Sequence, residues 1–174
     1  MSVRRFGAAF TVLVLTAGTV AAQPAKPNDA QIAHIAYTAS VIDIKAAQQA
    51  LQKSRNRAVR QFAQDMIRDH SAVNEQALAL VKKLHVTPQD NPTSQALLKQ
   101  AADERRKLAQ LRGRSFDRAY AENEVAYHQA VNKALETTLI PSASNPELKS
   151  LLETGLKIFQ GHQQHAEQVV AALK

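Results

Sequence analysis

Five ionisable side chains lie on otherwise apolar helical stripes of this sequence: Asp43, His70, Glu124, His128 and His162. A carboxylate or an imidazole in a helical core is costly unless it is paired, hydrogen-bonded or bound to metal. Imidazole is the commonest metal ligand, and carboxylate oxygen often joins it. If these residues converge at one depth of a bundle, they make a candidate transition-metal site. Zinc, copper and iron all suit such ligands, and the sequence does not select among them. Glu124 and His128, spaced i, i+4, share one helical face. That spacing fits two ligands of one ion and fits a local hydrogen bond equally well. His70 has the same two readings, as a ligand or as a buried histidine bonded to a tyrosine or carboxylate.

The neighbouring polar residues are read differently. Adjacent helical positions point about 100° apart, so Asp69 should face an edge while His70 faces inward. Asp69, Asp117 and Tyr120 are expected to form a structural polar network. His162 lies on its helix's apolar seam. His165, three residues on, flanks that seam and is expected at the surface. His34 and His85 lie near helix ends and receive no role.

No Glu-x-x-His occurs anywhere, which counts against a standard di-iron oxidase or ferroxidase. There is no Ser-His-Asp order, glycine-rich phosphate loop or deaminase motif. With no cysteine, thiolate metal sites, disulfides and cysteine nucleophiles are excluded. No catalytic residue is assigned; the reading leans towards a non-enzyme, with a carboxylate pair hidden in the helical core as the open alternative.

The elements that must position these residues are all helical. A first helix over about 28–54 carries Ile32, Ala36, Ala39, Asp43, Ala46 and Ala50 at alternating steps of four and three. A second, over about 56–85, carries Val59, Ala63, Met66, His70, Val73, Ala77, Leu80 and Leu84 in the same rhythm, with His70 at the centre. Pro88 and Pro92 end it. A charged, weakly amphipathic helix over 94–111 follows, with Ser94 as expected N-cap, and Gly113 breaks it. Ser115 is expected to cap a fourth helix reaching about Ile140. Asn145 and Pro146 open a last one, reaching about Leu173.

If the first two helices turn at Arg55 and the third carries the chain back to that end, one depth scale applies. Asp43, His70, Glu124, His128 and His162 then fall within a window of about 9 Å at 1.5 Å per residue. Side chains can converge across that window. The predicted fold is therefore all-α: a ferritin-like four-helix bundle with an extra crossover helix between core helices two and three.

The first 22 residues read as a secretory signal. Arg4 and Arg5 precede an apolar run over Phe6–Val20, and Ala21-Ala22 offer a small-residue cleavage site. Residues 23–27 read as a linker and 28–174 as the bundle domain. The protein is expected to be exported, periplasmic or associated with an outer membrane. The formal net charge of +7 admits an anionic envelope surface as partner through Arg105, Arg106, Lys107, Arg112, Arg114 and Arg118. An envelope protein or a second copy of the chain is the other partner considered. Export argues against nucleic acid.

Several of these segments carry a family resemblance. They are Val59-Arg60-Gln61-Phe62-Ala63, Met66-Ile67-Arg68-Asp69-His70, Phe116-Asp117-Arg118-Ala119-Tyr120 with His128 downstream, and Leu156 leading to His162 and Ala166. Together they make the chain similar to exported bacterial proteins grouped as the domain-of-unknown-function 4142 family. The resemblance implies a ferritin-like all-α fold and an envelope location, and it supplies no settled activity. This chain departs from the pattern at Lys157, where proline is usual, and at Asp43, where glutamate is more common.

Overall fold

A computed structural model describes residues 26–173, and the expected signal and most of the expected linker lie outside them. The elements are α1 (Asp29–Lys53), α2 (Arg57–Lys83), α3 (Pro92–Gln110), α4 (Gly113–Ala134), a π-helical turn (Leu135–Leu139), the short α5 (Ile140–Ser142) and α6 (Pro146–Ala172). There is no strand among the described residues.

Side-chain caps start most of these helices. Asn28 accepts from the Gln31 N–H while the Gln31 side chain accepts from the Asn28 N–H, a reciprocal capping box that satisfies two otherwise free donors. Asn56 and Asn145 cap α2 and α6 in the simpler way. The expected cap of α3 is corrected from Ser94 to Asn91. Pro92 has its φ fixed for the first helical position, so the helix starts earlier and Asn91 receives the Ser94 N–H. The freed Ser94 hydroxyl sits 2.9 Å from His34 Nδ1 and joins α3 to α1. Ser115 does not cap α4 either. Gly113 takes a left-handed φ of 54°, open to glycine at no steric cost, and α4 begins there.

The fourth helix does not run regularly to Ile140 as expected. A proline ring clashes with the carbonyl four residues back in a regular α-helix, and the π-helical turn falls just before Pro141. In α6 the helix continues unbroken through Lys157.

The long-range bonds set the topology. Lys53 Nζ donates to the Ala109 carbonyl and Gln49 to that of Arg105, so α3 runs parallel to α1 along its outside. Both carboxylate oxygens of Asp29 accept backbone N–H groups, from Ser144 and Asn145, which fixes the start of α6 beside the start of α1. Thus α1 and α6 run one way and α2 and α4 the other, with α3 as the crossover. This is the four-helix bundle predicted from the spacing.

The apolar core divides into two clusters. Near the α1–α2 turn lie Phe62, Met66, Phe116, Tyr120, Ala166 and their neighbours. At the other end lie Ile32, Ile35, Leu135, Leu139, Leu148, Leu152 and Phe159. On every core helix the singled-out polar residue falls between the two clusters in sequence, so the bundle is apolar at both ends and polar across its middle.

Candidate metal centre

Each core helix delivers its ligand-type residue to that middle layer. Asp43 comes from α1, His70 from α2, Glu124 and His128 from α4, and His162 from α6. All five are buried, none more than 6% exposed. Two overlapping groups result: His70, His128 and His162, and Asp43, Glu124 and His128. Within each, one nitrogen or oxygen per residue lies within 4.8 Å of the others. Asp43 Oδ2 is 2.7 Å from His70 Nε2 and 3.3 Å from His128 Nε2. The short aspartate side chain therefore reaches the centre.

The outer nitrogen of each imidazole is held by the protein. His70 Nδ1 is 3.2 Å from Ser40 Oγ. His128 Nδ1–H donates to the Glu124 backbone carbonyl at 2.9 Å, and His162 Nε2–H to Asp69 Oδ2 at 3.0 Å. The Glu124 carbonyl and the Asp69 carboxylate require N–H donors at His128 Nδ1 and His162 Nε2, so in the neutral rings the lone pairs sit on His128 Nε2 and His162 Nδ1. At His70 the 2.7 Å contact of Nε2 with Asp43 Oδ2 places the proton on Nε2, and Nδ1 accepts from the Ser40 hydroxyl. Outer bonds of this kind fix tautomer and ring orientation at metal-binding histidines.

The layer is only partly satisfied by its own groups. Asp43 Oδ2 pairs with His70 Nε2 and lies beside His128 Nε2 at the distances above, whereas His162 Nδ1 and Glu124 Oε2 are buried without a hydrogen bond. Phe159 stacks on His70 with centroids 4.6 Å apart and planes 8° apart, walling the layer on one side.

The electrostatics fit a cation. Burial opposes ionisation of Asp43, but His70 and His128 outweigh it and hold the carboxyl well below the usual range. Burial and then the Asp43 charge push Glu124 well above its usual range. One ionised and one protonated carboxyl therefore share the layer. Burial holds His162 down to about 4, against the opposing pull of Asp69, so its ring is neutral near pH 7. The Arg68 guanidinium in turn keeps Asp69 low.

Asp69 faces the edge, as expected, and its partner is His162. The network expected of Asp69, Asp117 and Tyr120 is not formed. Asp117 Oδ1 and the Tyr120 hydroxyl are buried without partners, while Asp69 is engaged by Arg68 and His162. At Tyr120 the physical reason is direction: its ring packs against Phe62 and Phe116. An unmatched buried hydroxyl costs about 1–3 kcal/mol. Tyr120→Phe is therefore expected to raise the urea midpoint of the metal-free protein, whereas a fall of more than about 1 kcal/mol would show that the hydroxyl has a partner.

Ser40 was missed in the sequence. It lies three residues before Asp43, hence on the same face of α1, and that spacing was the available signal. His165 is half-buried, its ring edge-on to Phe62 at 5.2 Å. His85 is exposed. Arg106, Lys107 and Arg118 pair with Asp103, Glu104 and Glu122 on their own helices, so the basic stretches present less net charge than their sequence suggests.

A cavity of about 960 Å³ runs along α1, lined by residues such as Ala36, Tyr37, Leu97, Ala101, Ala130 and Leu139. Ser40 and Phe159 border it, but none of the five inward-facing residues does.

Comparison with known proteins gives a consistent picture. The family model described as "Domain of unknown function (DUF4142)" matches residues 15–169. No curated protein matches the sequence. Among solved structures the chain resembles one titled "CopM in the Cu(II)-bound form". The match has 14% identity, covers 86% of this chain and 100% of that one, and has a TM-score of 0.65. At that identity the likeness speaks to the fold.

Proposed function

The chain belongs to the DUF4142 family, and from that premise we propose that it is an exported, non-catalytic protein that holds a transition-metal ion, copper(II) foremost, in its mid-bundle layer. One observation carries the reading: nitrogens and oxygens of Asp43, His70, Glu124, His128 and His162 are buried within ligand reach of one another in two overlapping groups, and His162 Nδ1 and Glu124 Oε2 have no hydrogen bond. A purely structural polar layer satisfies its donors and acceptors internally, because each unmatched group destabilises the fold. A bound cation would satisfy all of these atoms at once.

The choice of copper rests on the donor set and on the fold neighbour. Copper(II) stands highest in the divalent affinity series at nitrogen and oxygen sites, and imidazole suits it. The neighbour's title places Cu(II) on CopM. Zinc and iron suit the same donors. Export is inferred from the Arg4-Arg5 start and the apolar run that follows. No helix among the described residues is long and apolar enough to cross a membrane.

The test is titration of the Gln23–Lys174 chain with copper(II), zinc(II) and iron(II), beside the His70→Ala/His162→Ala variant. Stoichiometric uptake that the variant loses is expected. Equal uptake by both chains, or none by either, would return the layer to a structural role.

A further inference from the structure

A centre buried this completely needs a way in. The long cavity beside α1 is lined mainly by apolar side chains and does not border the inward-facing residues, so it offers a hydrated cation few ligands to exchange for water. The α2–α6 seam differs. Asp65 and Asp69, spaced i, i+4 on α2, face His162 and His165, spaced i, i+3 on α6. His165 Nδ1 lies 4.0 Å from Asp65 Oδ2, and His162 Nε2 lies 3.0 Å from Asp69 Oδ2. Side-chain exposure falls from 37% at His165 through 26% at Asp69 to 8% at His162. These ligand-type groups thus lead from solvent to the layer.

His162 belongs to both ends of this series. Its Nε2 touches Asp69 at the edge, its Nδ1 is buried without a partner, and the ring lies within ligand reach of His70 and His128. Arg68 closes the outer end. Its guanidinium bonds Asp65 Oδ1 at 2.7 Å and both oxygens of Asp69 at 2.7 and 3.0 Å, occupying the carboxylates that an arriving cation would use. Arg68 is itself 65% exposed. Exposed ion pairs of this kind stabilise little, so they open readily.

Resting on the metal-binding reading above, we infer that the Asp65–Asp69–His165 edge is the route by which the metal ion enters. Arg68 is the latch, and His162 is the residue that passes the ion inward. The ion exchanges water for carboxylate and imidazole at the edge, then passes inward on His162 as that ring reorients. Asp65, Arg68 and His165 act on the rate of entry and are not ligands of the final centre.

The test is stopped-flow absorbance with copper(II) as the probe, on the unaltered chain, Asp65→Asn/His165→Gln and Arg68→Ala, with circular dichroism confirming the helical fold. Charge-lined approaches change association rates by factors of about 10 or more. The double variant is expected to bind about tenfold more slowly, and Arg68→Ala severalfold faster, with dissociation constants within about threefold of the unaltered chain. Equal association rates in all three chains would overturn the route while leaving the binding reading intact. A weakened affinity carried wholly by faster release would also overturn it, by making the edge residues ligands. No copper uptake by the unaltered chain would overturn the binding reading and the route with it.

Discussion

Saturating copper(II) is expected to raise the melting temperature of the metal-free protein by about 8–16 °C. The size follows from linkage. A ligand at about a thousand times its dissociation constant, bound only by the folded state, adds about 4 kcal/mol. In a domain of this length each kcal/mol moves the midpoint by about 2–4 °C. The effect should be large because the ion would supply a partner to buried atoms that have none in the metal-free layer, His162 Nδ1 and Glu124 Oε2 among them. A chelator should reverse the shift, and His70→Ala/His162→Ala should show none. Zinc(II) should give a smaller shift than copper(II), following the divalent affinity order. Differential scanning calorimetry with each metal reads all of this. A copper shift as large in the double variant as in the unaltered chain would place the ion elsewhere.

The candidate centre was legible in the sequence because a charged residue on an apolar stripe is conspicuous. The four-and-three rhythm of Ile32 to Ala50 and of Val59 to Leu84 locates the buried face without reference to any partner helix, so Asp43 and His70 stand out as exceptions to it. Convergence asked little of connectivity, because these residues lie near the middle of their helices and would share a layer in either direction. The crossover α3 brings α4 back to the α1–α2 turn, which places Glu124 and His128 at the depth of Asp43. Local chemistry was less legible. Ser94 and Ser115 are good cap residues in isolation, but Pro92 and the left-handed Gly113 set the helix starts. The partner of Asp69 could not be read from α2 alone, because His162 reaches it from a helix distant in sequence. Likewise, no pattern within α4 shows that Asp117 Oδ1 and the Tyr120 hydroxyl are buried without a polar partner. Periodicity reports which face is buried; it does not report what waits on the other side of the interface.

Phe62→Ala is expected to cost about 3–5 kcal/mol, the range for deleting a fully buried phenylalanine, and so to lower the melting temperature by about 6–20 °C. Phe62 is fully buried in the cluster near the α1–α2 turn. Its ring meets Tyr120 edge-on at 6.2 Å and His165 at 5.2 Å, and none of its aromatic contacts is with the three inward-facing histidines. Stability from that cluster and stability from a bound ion should therefore add, as independent sites do. Copper should raise the midpoint of Phe62→Ala by nearly the same increment as that of the unaltered chain, from a lower start. The His70→Ala/His162→Ala variant should behave in the opposite way, losing the increment while its cluster packing stays in place. If Phe62→Ala lost the copper increment too, the two regions would be coupled. The ligand geometry would then depend on the packing of α2 against α4 and α6 near the turn, as well as on the residues of the layer itself.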